Sequence, residues 1–292
     1  MSNTGIIYGL TGETARGDAN TAYHRKPNAL FLNKTSHKID ISGLKNTEQR
    51  DAIRFDGVEY ASRFTVGFEV EKNQLSRNAV REYELFCGFE RDGSCGYEAV
   101  THVLPLLPAG KWRTKVFDMF HKAEKIIDDR FSPSDKRCGG HITVAVDGLD
   151  GEELRERVRK NCGIVYALFR NRLKNHYCGF NKRMQSEDDA RQWHYKYQLA
   201  LVKGDCLEFR VPSRFESVKQ MMRRYELFYE LLNFSINNPT GTHDAFLRKI
   251  KPIILSMYNG DEEKTKQILS LSKEFRTYIL RGDISDRVRE FI

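Results

Sequence analysis

No two of the six cysteines (Cys87, Cys95, Cys138, Cys162, Cys178 and Cys206) stand in a CxxC spacing. That absence excludes a zinc knuckle or a thioredoxin-type dithiol built from neighbouring thiols, and leaves each cysteine as a small buried hydrophobe. No apolar run approaches the roughly 18 residues a membrane span needs, so no membrane partner is expected. The amino terminus shows no charged region followed by an apolar one, and with unpaired cysteines this predicts a reducing, cytoplasmic setting. There is no internal repeat and no low-complexity linker. The stretch LTGETARG lacks the Gly-Lys-Ser/Thr ending of a phosphate loop and is set aside as a nucleotide motif.

What is present is a chain of 292 residues with 40% apolar and 30% charged residues, including 18 Phe and 13 Tyr. That is enough to bury a sizeable core and too apolar for disorder. The formal net charge of +8 points to a polyanionic partner, such as a phosphorylated cofactor, a nucleic acid or an anionic polymer.

Residues 1–63 hold only short apolar pieces among Gly, Asn, Thr and Lys and are read as an amino-terminal arm or accessory segment. From Phe64 the segments FTVGFEVE, REYELFCGFE and YEAVTHVLPLL alternate as half-buried strands do. KWRTKVFDMFHKAEKIIDD places Val116, Phe117, Phe120, Ala123, Ile126 and Ile127 at helical spacing. CGGHITVAV returns to strand periodicity, and a long helix is expected from Glu152 to about His176. A loop from Tyr177 to His194 follows; it carries Asn181, Lys182, Arg183 and Trp193 and is read either as a mobile surface segment or as one that closes over a ligand. YKYQLALV and CLEFRVPS form a hairpin around Gly204. Beyond Glu216 all is helical. This order predicts an α+β fold, an antiparallel sheet with helices packed on one side, with a core over 64–237 and a helical segment over 238–292 packed on it.

The strands share one peculiarity. Successive side chains on a strand point to opposite faces, so Val66, Phe68 and Val70 stand opposite Gly67, Glu69 and Glu71. Ile142 and Val144 likewise oppose His141 and Thr143, and Leu207, Phe209 and Val211 oppose Glu208 and Arg210. One such strand has an ordinary explanation, a polar face in water. Three that carry carboxylates, an imidazole and a guanidinium suggest hard ligands for magnesium or manganese, with Arg210 shaped to hold a phosphate. ERDGSCGYEAV adds Asp92 and Glu98. His102 and His121 are read as structural, and Arg223 and Arg224 as a solvated basic face.

The ordered set GFEVE, DGSCGYE, CGGHITV and CLEFRVPS, followed by a long helix, resembles the amidoligases, a branch of the carboxylate-amine ligases that includes glutamate-cysteine ligase and glutamine synthetase. The resemblance covers about Phe64 to Asn237. It implies a curved antiparallel sheet forming a glutamine synthetase-like funnel with helices on the outer face. It also implies ATP bound through Mg2+ or Mn2+, and an amide or peptide-type bond made through an acyl phosphate. Carried over by position, it implies metal binding by Glu69, Glu71, Glu98, His141 and Glu208, with Asp92 in the second motif. Glu69, Glu71 and Arg210 would be catalytic, and Arg210 with Lys182, Arg183 and Lys196 would hold the nucleotide. Thr143 stands where the family often has a second histidine. The acceptor is left open by the sequence, from a free amino acid to a peptide, a protein or an anionic polymer. Two other readings use the same residues: a metal-dependent nuclease or phosphodiesterase acting on nucleic acid, and a non-catalytic nucleotide-binding relative.

Overall fold

The computed structural model describes residues 53–55, 58–60, 63–93, 95–101, 104–146, 148–174, 200–203, 206–281 and 285–291. The expected arm over 1–63 lies outside them except for Arg63 and a small antiparallel pair, β1 (Ile53–Phe55) with β2 (Val58–Tyr60). The loop from Tyr177 to His194 lies outside them altogether.

The rest is mixed α and β, built on an open antiparallel sheet of seven strands. These are β3 (Phe64–Lys72), β4 (Phe86–Asp92), β5 (Gly96–Thr101), β6 (Leu104–Pro105), β7 (Ile142–Val146), β8 (Ala200–Lys203) and β9 (Cys206–Phe209). Their order is β4-β5-β3-β7-β9-β8, with β6 pairing β3 beside β5. The central strand is β3, and it is buried at every position. Two expected strands are shorter than the alternation suggested. In REYELFCGFE, Arg77–Arg81 closes a short helix, α1, before β4 begins. YEAVTHVLPLL breaks into β5 and β6, which pair with successive halves of β3.

Helices cover the apolar face. They are α2 (Lys111–Lys122), α3 (Glu124–Ile127), α4 (Gly151–Arg159), α5 (Gly163–Leu168), α6 (Val218–Asn237), α7 (His243–Met257), α8 (Glu262–Arg281) and α9 (Asp286–Arg289). Phe68 meets Phe120 of α2 and Phe215 edge-on, and Phe209 meets Phe228 of α6. Tyr225 of α6 donates from its hydroxyl to Pro105 O (2.6 Å) and accepts from Leu107 N (2.8 Å), which pins α6 to β6 and the segment after it. The buried apolar residues run as one cluster from Phe64 to Val288, so the carboxy-terminal helices share the core of the sheet.

The helix expected over Glu152–His176 is instead α4, α5 and a 3-10 turn at Arg170–Arg172. The cause is a close crossing. A Cβ on Gly163 would stand 2.2 Å from Ser272 O of α8, so α5 must present glycine there, and the chain bends before it to do so. Arg276 of α8 then donates to Lys160 O (3.0 Å), satisfying a carbonyl that the end of α4 leaves open. Below this crossing, Asn161 donates to Ser235 Oγ (2.9 Å), while His243 reaches Asn161 Oδ1 and Ser272 Oγ. An amide oxygen can only accept, so His243 Nδ1 donates to Asn161, while the Ser272 hydroxyl can serve Nε2 as donor or acceptor; it is burial that favours the neutral ring.

Candidate metal centre

Register brings the polar residues of separate strands onto one face. Gly67 pairs with Thr143, and Thr143 with Glu208. One step along, Glu69 N donates to His141 O (3.1 Å), and Glu71 lies opposite Glu98. Paired residues of an antiparallel sheet project to the same side. Glu69, Glu71, Glu98, His141, Thr143 and Glu208 therefore share one face.

That face does not meet water. Exposure is 4% for Glu69, 5% for Glu71, 7% for Glu98 and His141, 4% for Thr143 and 0% for Glu208, which rules out the ordinary reading of a solvated strand face. Buried charges need partners or ions, and several are visible. His141 Nδ1 lies 2.5 Å from Glu69 Oε2, and its Nε2 lies 3.4 Å from Glu71 Oε1. Glu71 Oε2 accepts from Gly139 N at 2.5 Å. Arg210 donates from Nη1 to Glu208 Oε1. Burial alone would lower the Arg210 pKa, but Glu208, and after it Glu69 and Glu71, more than reverse this and hold the guanidinium firmly charged.

Of the expected ligands, the structure gathers Glu69, His141 and Glu208: one donor atom from each can be chosen so that all lie within 4.8 Å of one another. It is the only such group among the described residues. Glu71 stands beside it, engaged by Gly139 and facing the imidazole, and Glu98 backs Glu71 from β5. Two carboxylate oxygens and one imidazole nitrogen suit a hard or borderline divalent cation, with manganese favoured over magnesium by the nitrogen donor. Thr143 Oγ1 is buried without a hydrogen-bond partner among the described residues, and Thr143 is paired across the sheet with Glu208. A buried orphan hydroxyl beside convergent ligand atoms is a second sign that the cluster fits an ion and its water. Asp92 is the last residue of β4, paired with Gly96. Lys182, Arg183 and Lys196 lie outside the described residues.

Two contributors, Gly139 and Arg172, and the buried Lys72 that follows Glu71 in the chain were not expected from the sequence. Gly139 donates its N–H to Glu71, and a Cβ there would stand 3.0 Å from Glu71 Oε1, 3.1 Å from His141 Nε2 and 3.2 Å from Arg172 Nη2. The Gly-Gly pair in CGGHITV was its visible signal. Arg172, within the helix expected over Glu152–His176, is buried and donates to Cys138 O (2.7 Å), steadying the chain just before Gly139. Lys72, at the end of β3, is fully buried and donates to Ile127 O (2.7 Å), Asp129 Oδ1 (2.6 Å) and Phe215 O (2.8 Å). Burial pushes its pKa down, with Asp129 opposing. A correction applies to Arg224, read as part of a solvated face: it is buried, because neutral oxygens and two aromatic rings surround it. Among the described residues, no helix is long and apolar enough to cross a membrane.

No family model matches the chain, and no curated protein matches it in sequence.

Proposed function

We propose that the protein is an ATP-dependent carboxylate-amine ligase that requires Mg2+ or Mn2+ and forms an amide or peptide-type bond through an acyl phosphate. The observation that carries this reading is the buried convergence of Glu69, His141 and Glu208 within 4.8 Å, with Arg210 held against Glu208. A divalent ion held by these three residues would neutralise phosphate charge as it develops during transfer.

The chain's own residues have separable tasks. Glu71, fixed by Gly139 N, faces His141 Nε2 and orients the ring, so that Nδ1 stays directed at Glu69. Arg210 keeps Nη1 on Glu208 while its side chain stays partly exposed. A planar guanidinium held this way would meet a phosphate oxygen with its remaining donors. Burial of the face lowers the local dielectric and strengthens each of these interactions. In this reading the sheet curves as the glutamine synthetase-like funnel does, with nucleotide and acceptor on its polar side.

The test is ADP release with ATP, Mg2+ or Mn2+ and a panel of carboxylate and amine pairs, with mass spectrometry for a product one water lighter than the pair. Glu69→Gln and Arg210→Ala are expected to lower turnover about a hundredfold or more, with the fold verified by circular dichroism. ATP consumption at the wild-type rate in either variant defeats the assignment. Metal-dependent cleavage of nucleic acid without ADP release would move the same residues to phosphodiester hydrolysis.

A further inference from the structure

On the helical side of the molecule, a cavity of about 380 Å³ opens between the end of α5, the segment leading into α6 and the end of α7. It shares no lining residue with the carboxylate cluster. Among the described residues its charged lining is Lys219, Arg223 and Arg224, with no carboxylate, and Leu168, Phe169, Met257 and Tyr258 give it an apolar wall. The cations grade inward, from exposed Lys219 through half-buried Arg223 to buried Arg224.

Their hydrogen bonds leave the positive charge largely uncompensated. Arg224 spends its donors on Ser213 O, Ser213 Oγ, Arg214 O and Gln220 Oε1, all neutral oxygens, and its guanidinium lies over the rings of Phe169 (4.9 Å) and Phe215 (4.6 Å). Among the described residues it makes no ion pair, and among them Lys219 donates to the amide oxygen of Asn259 alone (2.8 Å). Arg223 pairs with Glu226 through Nη1, but its Nε is buried without an acceptor. Burying a guanidinium with no carboxylate partner is costly, and burial with little compensation from Glu216 pulls the Arg224 pKa down to about 9. A small anion seated among these groups would supply the missing charge. The cavity size matches sites that take small molecules.

We propose that this cavity is a second binding site, taking a compact anionic group, a phosphate monoester or a carboxylate, carried on a flat or aliphatic apolar body. The anion meets Lys219, Arg223 and the hydroxyls of Ser213 and Ser217 over the buried charge of Arg224, and the body lies against Phe169, Leu168 and Met257. Ser213 also links the two regions, because it bridges to Gly139, the residue whose N–H holds Glu71.

The full-length protein is titrated with phenyl phosphate, benzoate, inorganic phosphate and phenol, with calorimetry and thermal shift as readouts. Saturable protection by phenyl phosphate or benzoate is expected, at least tenfold tighter than by phenol, and the better of the two names the anion class. Lys219→Gln and Arg223→Gln, both outside the core, should each weaken it about tenfold. Met257→Trp, which fills the apolar wall, should abolish it, and Glu208→Gln should leave it unchanged. The proposal is overturned if neither aryl anion protects, if phenol protects equally, if the charge variants bind as the wild type does, or if Glu208→Gln removes the binding. The proposed ligase activity does not enter these readouts, so its loss and the loss of this site are distinguishable.

Discussion

Replacing Thr143 by valine keeps the shape of the side chain and removes one hydroxyl. Thr143 is 4% exposed, and its hydroxyl finds no hydrogen-bond partner among the described residues. Burying an unpaired hydroxyl costs about 1–3 kcal/mol in protein mutational data. Without a divalent ion, Thr143→Val should therefore stabilise the protein by about that amount. At about 2–4 °C per kcal/mol for a chain of this size class, the melting temperature should rise by roughly 2–12 °C. The neighbourhood makes the prediction sharper, because Thr143 stands opposite Glu208 on one side and Gly67 on the other. With Mn2+ bound at Glu69, His141 and Glu208, the hydroxyl gains a polar environment that valine cannot use. The wild type should then gain more stability from the ion than the variant, and the gap should close or reverse. Differential scanning calorimetry of both proteins in EDTA and in Mn2+ measures this. A variant less stable than the wild type in EDTA refutes the orphan hydroxyl, and a gap of the same size in both conditions refutes its link to the cluster.

Lys72→Met should destabilise the protein by about 3–5 kcal/mol, because Asp129 and the carbonyls of Ile127 and Phe215 all lose their buried donor; urea unfolding tests it, and a loss below about 1 kcal/mol would show that the lysine is dispensable. Gly139→Ala should cost about 1–3 kcal/mol by crowding Glu71 and His141 and should weaken Mn2+ protection as well, whereas unchanged ion binding would separate the glycine from the site. His243 gives a pH dependence. Burial, with Arg276 adding and Asp244 opposing, pushes its pKa down to about 4 from 6.5, so the unfolded chain takes up the proton first. Stability from this group is complete above about pH 6.5 and falls as the pH drops toward 4, by up to about 3 kcal/mol. In His243→Gln the slope of stability against pH across that window should flatten, and an identical slope would assign the acid loss to carboxylates.

The antiparallel sheet and the helices on its apolar side were legible because period-two and helical patterns are local, and each strand declared its own faces. The helix expected over Glu152–His176 was not, because its break depends on Gly163 meeting Ser272 more than a hundred residues later, a contact no local pattern carries. The site was legible in its types and its strands: Glu69, His141 and Glu208 were singled out from alternation alone, and the register places them together. Arg224 was misread, because a cation on an amphipathic helix looks solvent-facing until its neighbours in space, here Ser213 O and the rings of Phe169 and Phe215, are known. Arg172 went unnoticed because its partner, Cys138 O, is distant in sequence.

By itself, the sequence determined which residues share a strand face, because side-chain alternation is a property of the chain, and it determined that this face holds hard ligands and a guanidinium. Only the tertiary structure decided that the face is buried rather than wet, that Glu208 joins Glu69 and His141 while Glu71 turns to Gly139, and that three basic residues at α6 surround a cavity. Those outcomes depend on register and on contacts between distant segments, where one residue of slip or one crossing helix exchanges water for protein.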